Sequence, residues 1–258
     1  MSCRRTALAA ALSLLTLGQS LTIVSTTAIA TGAVLLSTQA AHAESADDYA
    51  KAGLEKLQSD DPKGAIVEYS KAIKINPQFA RAYHDRGIAK VLLGDNKGAI
   101  ADYSKAIAID PQYFIAYTNR GYPKEQLGDY QGAIADYNKA IAINPQYDTA
   151  YTNRGNAKSD LKDYQGAIAD FNKAIAINPQ YANAYVGRGN VKGKSGDYQG
   201  AIADFSKAIE INPQYARAYN NRGAAKGMSG DMQGACADIR RALSLGAKIP
   251  PEIQRMCF

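Results

Sequence analysis

From Ala46 onward the apolar residues recur at helical spacing rather than in strict alternation. Ala167, Ile168, Phe171, Ala174 and Ile175 fall at i, i+1, i+4, i+7 and i+8, which is one face of an α-helix. Ala99, Ile100, Tyr103, Ala106 and Ile107 carry the same stripe earlier in the chain. A second helical pattern precedes each stripe, as in Thr149 to Leu161. Between the two stand Asp95, Asp129, Asp163, Asp197 and Asp231, where an aspartate caps a helix by accepting from its orphan N–H groups. Glycine precedes four of these caps (Gly94, Gly128, Gly196, Gly230) and supplies the left-handed residue that ends a helix; Lys162 departs from that rule. Asn144-Pro145 and Asn178-Pro179 close the second helix, the asparagine expected in the left-handed conformation and the proline at the start of the next helix.

This two-helix unit recurs every 34 residues, with starts at Ala46, Ala80, Phe114, Asp148, Ala182 and Ala216 and no insertion or deletion. The chain therefore divides into a leader (1–43), six units (46–79, 80–113, 114–147, 148–181, 182–215 and 216–249) and a tail (250–258). One such unit cannot bury its own apolar stripe, whereas stacked neighbours can. Tyr, Gly, Ala, Tyr or Phe, Ala and Pro at positions 4, 8, 20, 24, 27 and 32 of the unit resemble the tetratricopeptide repeat family over residues 46–249. The resemblance implies an all-α fold, a right-handed superhelical α-solenoid whose first helices line a concave groove, with a C-terminal capping tail.

The chain departs from the family pattern at positions 7 and 11, which carry Arg86, Arg120, Arg154, Arg188, Arg222 and Lys90, Lys124, Lys158, Lys192, Lys226. Basic pairs facing the packed side demand acid nearby, and Glu68, Asp102, Asp136, Asp170, Asp204 and Asp238 recur at position 23. A structural charge network is expected, with one acid left over: Glu68 if pairing stays within units, Asp238 if it crosses to the next. Pro123 stands where the sibling units have Ala89, Ala157, Val191 and Ala225, and predicts a kinked or loosened first helix, either as sequence drift or as a kink that presents Tyr122 to the groove.

The leader opens with Arg4-Arg5, runs uncharged from Thr6 to Ala41 and closes on Ala41-His42-Ala43, the pattern of a cleaved secretory signal peptide. An uncleaved N-terminal membrane anchor is the alternative, since the run is long enough to span a bilayer. Either way the repeats are expected outside the cytoplasm, in the periplasm or secreted. Net charge is +6, falling to 28 basic against 24 acidic residues without the leader, a mild excess. The last unit is atypical: Ile239 replaces the aromatic, Cys236 the isoleucine, and Asn-Pro is missing. Cys236 and Cys257 are candidates for a disulfide in an oxidising compartment, with two small buried thiols as the alternative.

No catalytic motif is present. His84 is the one histidine beyond the leader, so histidine-rich metal sites and Ser-His or Cys-His pairs have almost nothing to draw on, and no cofactor or metal is expected. The groove is the functional candidate. Its face holds four basic residues (Lys51, Arg81, Lys194, Arg217) and four acidic ones (Asp47, Asp85, Glu125, Asp160), a balance that argues against phosphate tracking and a nucleic-acid partner. An apolar end is read at Leu54, Ile88, Val91, Leu92 and Ile115. Polar rows come after it at Thr118, Asn119, Thr152, Asn153, Asn156, Asn190 and Asn221. Asn119, Asn153 and Asn221 share position 6, where the resemblance implies asparagines that bond the backbone of an extended peptide, an amide being donor and acceptor at once. The lysines of the family's carboxylate clamp are missing. The expectation is a monomeric, non-catalytic scaffold binding a peptide or helix of a protein partner; a membrane-tethered assembly factor and an RNA-binding helical-repeat protein are the alternatives.

Overall fold

The computed structural model describes residues 44–257, all helix and turn; the expected leader, 1–43, lies outside them. Six helix pairs succeed one another: α1 (Ala46–Gln58) with α2 (Pro62–Ile75), α3 (Ala80–Leu92) with α4 (Asn96–Ile109), α5 (Phe114–Gln126) with α6 (Tyr130–Ile143), α7 (Asp148–Asp160) with α8 (Tyr164–Ile177), α9 (Ala182–Lys194) with α10 (Tyr198–Ile211), and α11 (Ala216–Met228) with α12 (Met232–Ser244). A short α13 (Pro251–Arg255) ends the chain. Each second helix packs on its own first helix and on the first helix of the next unit. Successive first helices also touch at every boundary, whereas successive second helices hardly meet. The stack therefore curves with the first helices inside, and the α-solenoid stands as expected.

The local rules hold where they rest on side-chain chemistry. In α2, α4, α6, α8, α10 and α12 the capping aspartate accepts from the glycine N–H three residues on, as Asp95 does from Gly98 at 2.9 Å. Lys162 takes the left-handed conformation its glycine siblings use, at φ +64°. One expectation is corrected. Asn144 and Asn178 are extended (ψ 91°), not left-handed; each holds the turn by accepting from the N–H of Gln146 or Gln180 through its side-chain oxygen, and the prolines sit inside that turn. Pro123 does not break α5, which keeps the thirteen residues of its siblings. Its ring is fully buried where the others place alanine or valine, so packing offsets the lost backbone bond.

The core is a row of wedges. Tyr69, Tyr103, Tyr137 and Phe171 at position 24 are fully buried, with alanines of positions 20 and 27 beside them. The position-8 glycine faces each wedge; at Gly87 a Cβ would lie 2.7 Å from the Tyr103 ring.

The basic pairs form the expected network, and pairing stays within units. Arg86, Arg120, Arg154, Arg188 and Arg222 grip Asp102, Asp136, Asp170, Asp204 and Asp238 through Nη2 at 2.5–2.7 Å and Nε at 2.8–3.0 Å. The lysine one turn on reaches the same carboxylate at 2.7–2.9 Å. Glu68 is the acid left over and pairs with Lys71. A third arm was not expected: the arginine Nη1 donates back to the preceding unit, to Ser70, Ser104, Asn138, Asn172 or Ser206 at 2.6–3.0 Å. Each guanidinium also lies 5.4–5.6 Å from the ring of the tyrosine three residues before it. One side chain thus joins two helices of its own unit to the unit before.

The tail covers the last apolar face. Ile249 packs with Ile239 and Ala242, and Tyr219, Leu243, Ala247 and Cys257 close over them. Cys257 is bonded to Cys236 on α12 across a 21-residue separation. A loop of that size is worth about 3 kcal/mol on the chain-entropy estimate. Cys257→Ser and reduced wild type should both melt lower by a similar amount; equal melting with and without reductant would rule the staple out.

Candidate functional site

The structure splits the face that the sequence pattern treats as one. Position 5 of each first helix turns to the first helix of the next unit, so His84, Thr118 and Thr152 are buried. Thr118 donates to the Phe114 carbonyl at 3.2 Å, and the Thr152 hydroxyl has no partner among the described residues. The two threonines are thereby corrected: neither hydroxyl is presented to a ligand.

At position 6 the asparagines are half-buried, and they are not equivalent. Asn119 Nδ2 lies 2.9 Å from His84 Nε2, whose Nδ1 lies 2.8 Å from Asp85; a tautomer with its proton on Nδ1 satisfies both. Tyr103 and Tyr113 flank that imidazole at 5.6 and 5.0 Å. Asn221 donates to Asn190 at 2.8 Å, which leaves the Asn221 oxygen and the Asn190 N–H groups open. Asn153 and Asn156 have no side-chain partner among the described residues; Asn156 is exposed and Asn153 half-buried. At Gly187, the break in the row, the Phe171 ring occupies the space a Cβ would need. Tyr122 is half-buried on α5.

The apolar end is also corrected. Ile88 belongs to the core, Val91 and Leu92 pack against that core, and Leu54 and Ile115 are half-buried. Ile88, Val91 and Leu92 therefore serve the core and do not form an open anchor. An open cavity of about 330 Å³ lies at the other end, between α9 and α11, lined by Gly189, Asn190, Gly193, Lys194, Tyr198 and Phe205 on one side and Asn221, Ala224, Ala225 and Met228 on the other.

Glu125 is the acid whose surroundings matter most. Its carboxylate accepts from the Tyr137 hydroxyl at 2.9 Å. Burial pushes it up to about 7; the Tyr137 bond opposes this and the Asp160 charge adds to it. A carboxyl whose folded pKa exceeds its unfolded one stabilises the protonated form, so stability falls as pH rises from about 4.5 through 7. Glu125→Gln keeps the tyrosine bond and removes the charge. It should raise stability at pH 8 by about 2 kcal/mol and flatten the pH dependence of urea melting between pH 5 and 8.

Among the described residues no cluster of His, Cys, Asp and Glu could hold a metal ion, and no helix is long and apolar enough to cross a membrane. What the groove offers among the described residues is hydrogen-bonding amides, an open cavity and little net charge.

Comparison with known proteins fits this geometry. The family described as "TPR repeat" matches residues 53–94, 87–122, 126–162 and 192–230, and "Tetratricopeptide repeat" matches 149–181. A search of curated proteins finds no match. Among solved structures, MamA is 31% identical over 62% of this chain and 93% of its own, with a TM-score of 0.54. PilW, a type IV pilus biogenesis factor, is 20% identical over 83% of this chain and 98% of its own, with a TM-score of 0.73. YrrB, a protein with an unusual peptide-binding site, is 20% identical over 73% and 95%, with a TM-score of 0.53. The last two likenesses speak for the fold alone.

Proposed function

The chain belongs to the tetratricopeptide repeat family, and from that premise we propose that it is a non-catalytic scaffold holding an extended segment of a partner protein in its concave groove. The observation that carries this is the set of amides left open on one face of α7, α9 and α11: Asn153 and Asn156 without side-chain partners among the described residues, Asn190 and Asn221 each half-used. A strand-like backbone has an N–H and a C=O at each residue, and open amides can meet both without demanding a sequence. YrrB, whose peptide-binding site is built on this fold, supports the reading.

The same reading places the repeats outside the cytoplasm with the leader removed. The Cys236–Cys257 disulfide supports it, because such bonds persist in oxidising compartments. N-terminal sequencing of the exported protein tests that part.

For the groove, changing Asn153, Asn156 and Asn221 together to alanine should weaken peptide binding at least tenfold while leaving melting within a degree or two, since alanine favours helix. Binding should change little between 50 and 200 mM salt. A steep fall with salt would mean nucleic acid and end the proposal.

A further inference from the structure

We propose that the cavity between the fifth and sixth repeats receives one bulky apolar side chain of the bound segment, with an acidic residue beside it set against Lys194. This rests on the groove reading and names its specificity pocket. Gly193 lines the cavity at position 12, where the four earlier units carry the larger Leu57, Val91, Glu125 and Ser159. Nothing in the packing asks for glycine at 193. A Cβ there would meet only the Ala201 methyl, at 3.9 Å, and the backbone is ordinary helix. A mid-helix glycine costs about 1 kcal/mol against alanine, so the chain gives up stability here and leaves space in return.

The space suits a hydrophobic occupant. At about 330 Å³ it is roughly twice a cavity that admits benzene. Phe205 and Ala225 are buried behind it, and Met228 stands 66% exposed at its mouth. An unbranched thioether on that wall adapts to differing shapes.

Charge selects the neighbour. The groove face of the fifth and sixth units carries Lys194 and Arg217 and no carboxylate, while the acids Asp47, Asp85, Glu125 and Asp160 all lie in earlier units. Lys194 holds only Ser159 at 3.2 Å and Asp160 at 3.9 Å, with both ends of that ion pair about half exposed. A contact that loose contributes little and yields readily to a carboxylate from the partner.

The test uses the full chain and labelled ten-residue peptides that differ only at the centre (Ala, Leu, Phe or Trp) and in one neighbour (Glu or Lys), read by fluorescence anisotropy. Bulky centres should bind at least tenfold tighter than alanine, and Glu tighter than Lys. Gly193→Leu, filling the cavity from α9, should erase the size preference and leave the alanine peptide unchanged. Ala224→Leu does the same from the facing wall, so loss of fold in one variant does not remove the test; Lys194→Glu should invert the charge preference. Equal binding of all centres, or a size preference that survives both leucine variants, overturns the pocket. The groove reading then still stands if the asparagine variants weaken every peptide, whereas no binding by any peptide overturns both.

Discussion

Asp170→Ala should destabilise the chain by about 3–5 kcal/mol, more than removal of either of its partners. Asp170 is 4% exposed and carries two cations, Arg154 and Lys158. Removing the acid leaves both half-buried cations facing each other without a counter-charge. Removing Arg154 leaves Asp170 still bonded to Lys158, and removing Lys158 leaves the bidentate arginine grip intact. Urea melting should therefore rank the variants Asp170→Ala, Arg154→Ala, Lys158→Ala from worst to mildest. A double change to Leu at 170 and Met at 154 should recover part of the loss, because a buried ion pair gains little net stability over a packed apolar pair. The network sets register more than it adds stability. Its counterpart in the last unit carries an acid signature. Burial alone would push Asp238 up, but the bonds from Arg222 and Lys226 outweigh it and hold the carboxyl below its ordinary 3.8. That contribution is present above 3.8 and is lost as pH falls through the depressed value. Unchanged melting of Asp170→Ala alongside lost partner binding would make the ladder a binding stripe instead.

What the sequence made legible depends on the range of each interaction. Period, helix pairs and caps are set within a few residues of chain, and all are present at their expected places. The charge network was also readable, since the opposed types recur at a fixed offset of sixteen. Its third arm was not, because the partners of the arginine Nη1 are serine in three units and asparagine in two and carry no charge to mark them. The groove was half legible. A helical wheel places positions 5, 6, 9, 12 and 13 on one side, but only contact with the next first helix decides which of them that neighbour covers. So Thr118 and Thr152 are buried where Asn153 is open, and Ile88 joins the core. The Asn119–His84 contact joins residues 35 apart, and the cavity needs three helices together, α9, α10 and α11. One signal was available for that cavity: the glycine at position 12 of the fifth unit, Gly193.

Two of the three glycines on α9, Gly189 and Gly193, make that signal testable, since they should respond to substitution with opposite sign. Gly189→Val is expected to cost about 3–4 kcal/mol, as overpacking against a fixed ring does. At 189 a Cβ would stand 2.8 Å from the Phe205 ring, which is itself buried at 3% exposure. The added methyls of valine must displace that ring or prise α9 from α10. Four residues on, Gly193→Ala should raise stability by about 1 kcal/mol, since the methyl enters open space and the helix gains propensity. Composition and propensity treat the two positions alike; only the packed structure separates them. Thermal melting of both variants in one background reads the contrast directly. If Gly193→Ala were as damaging as Gly189→Val, the glycine at 193 would be a packing requirement like its neighbour, and the space beside it would owe nothing to a ligand.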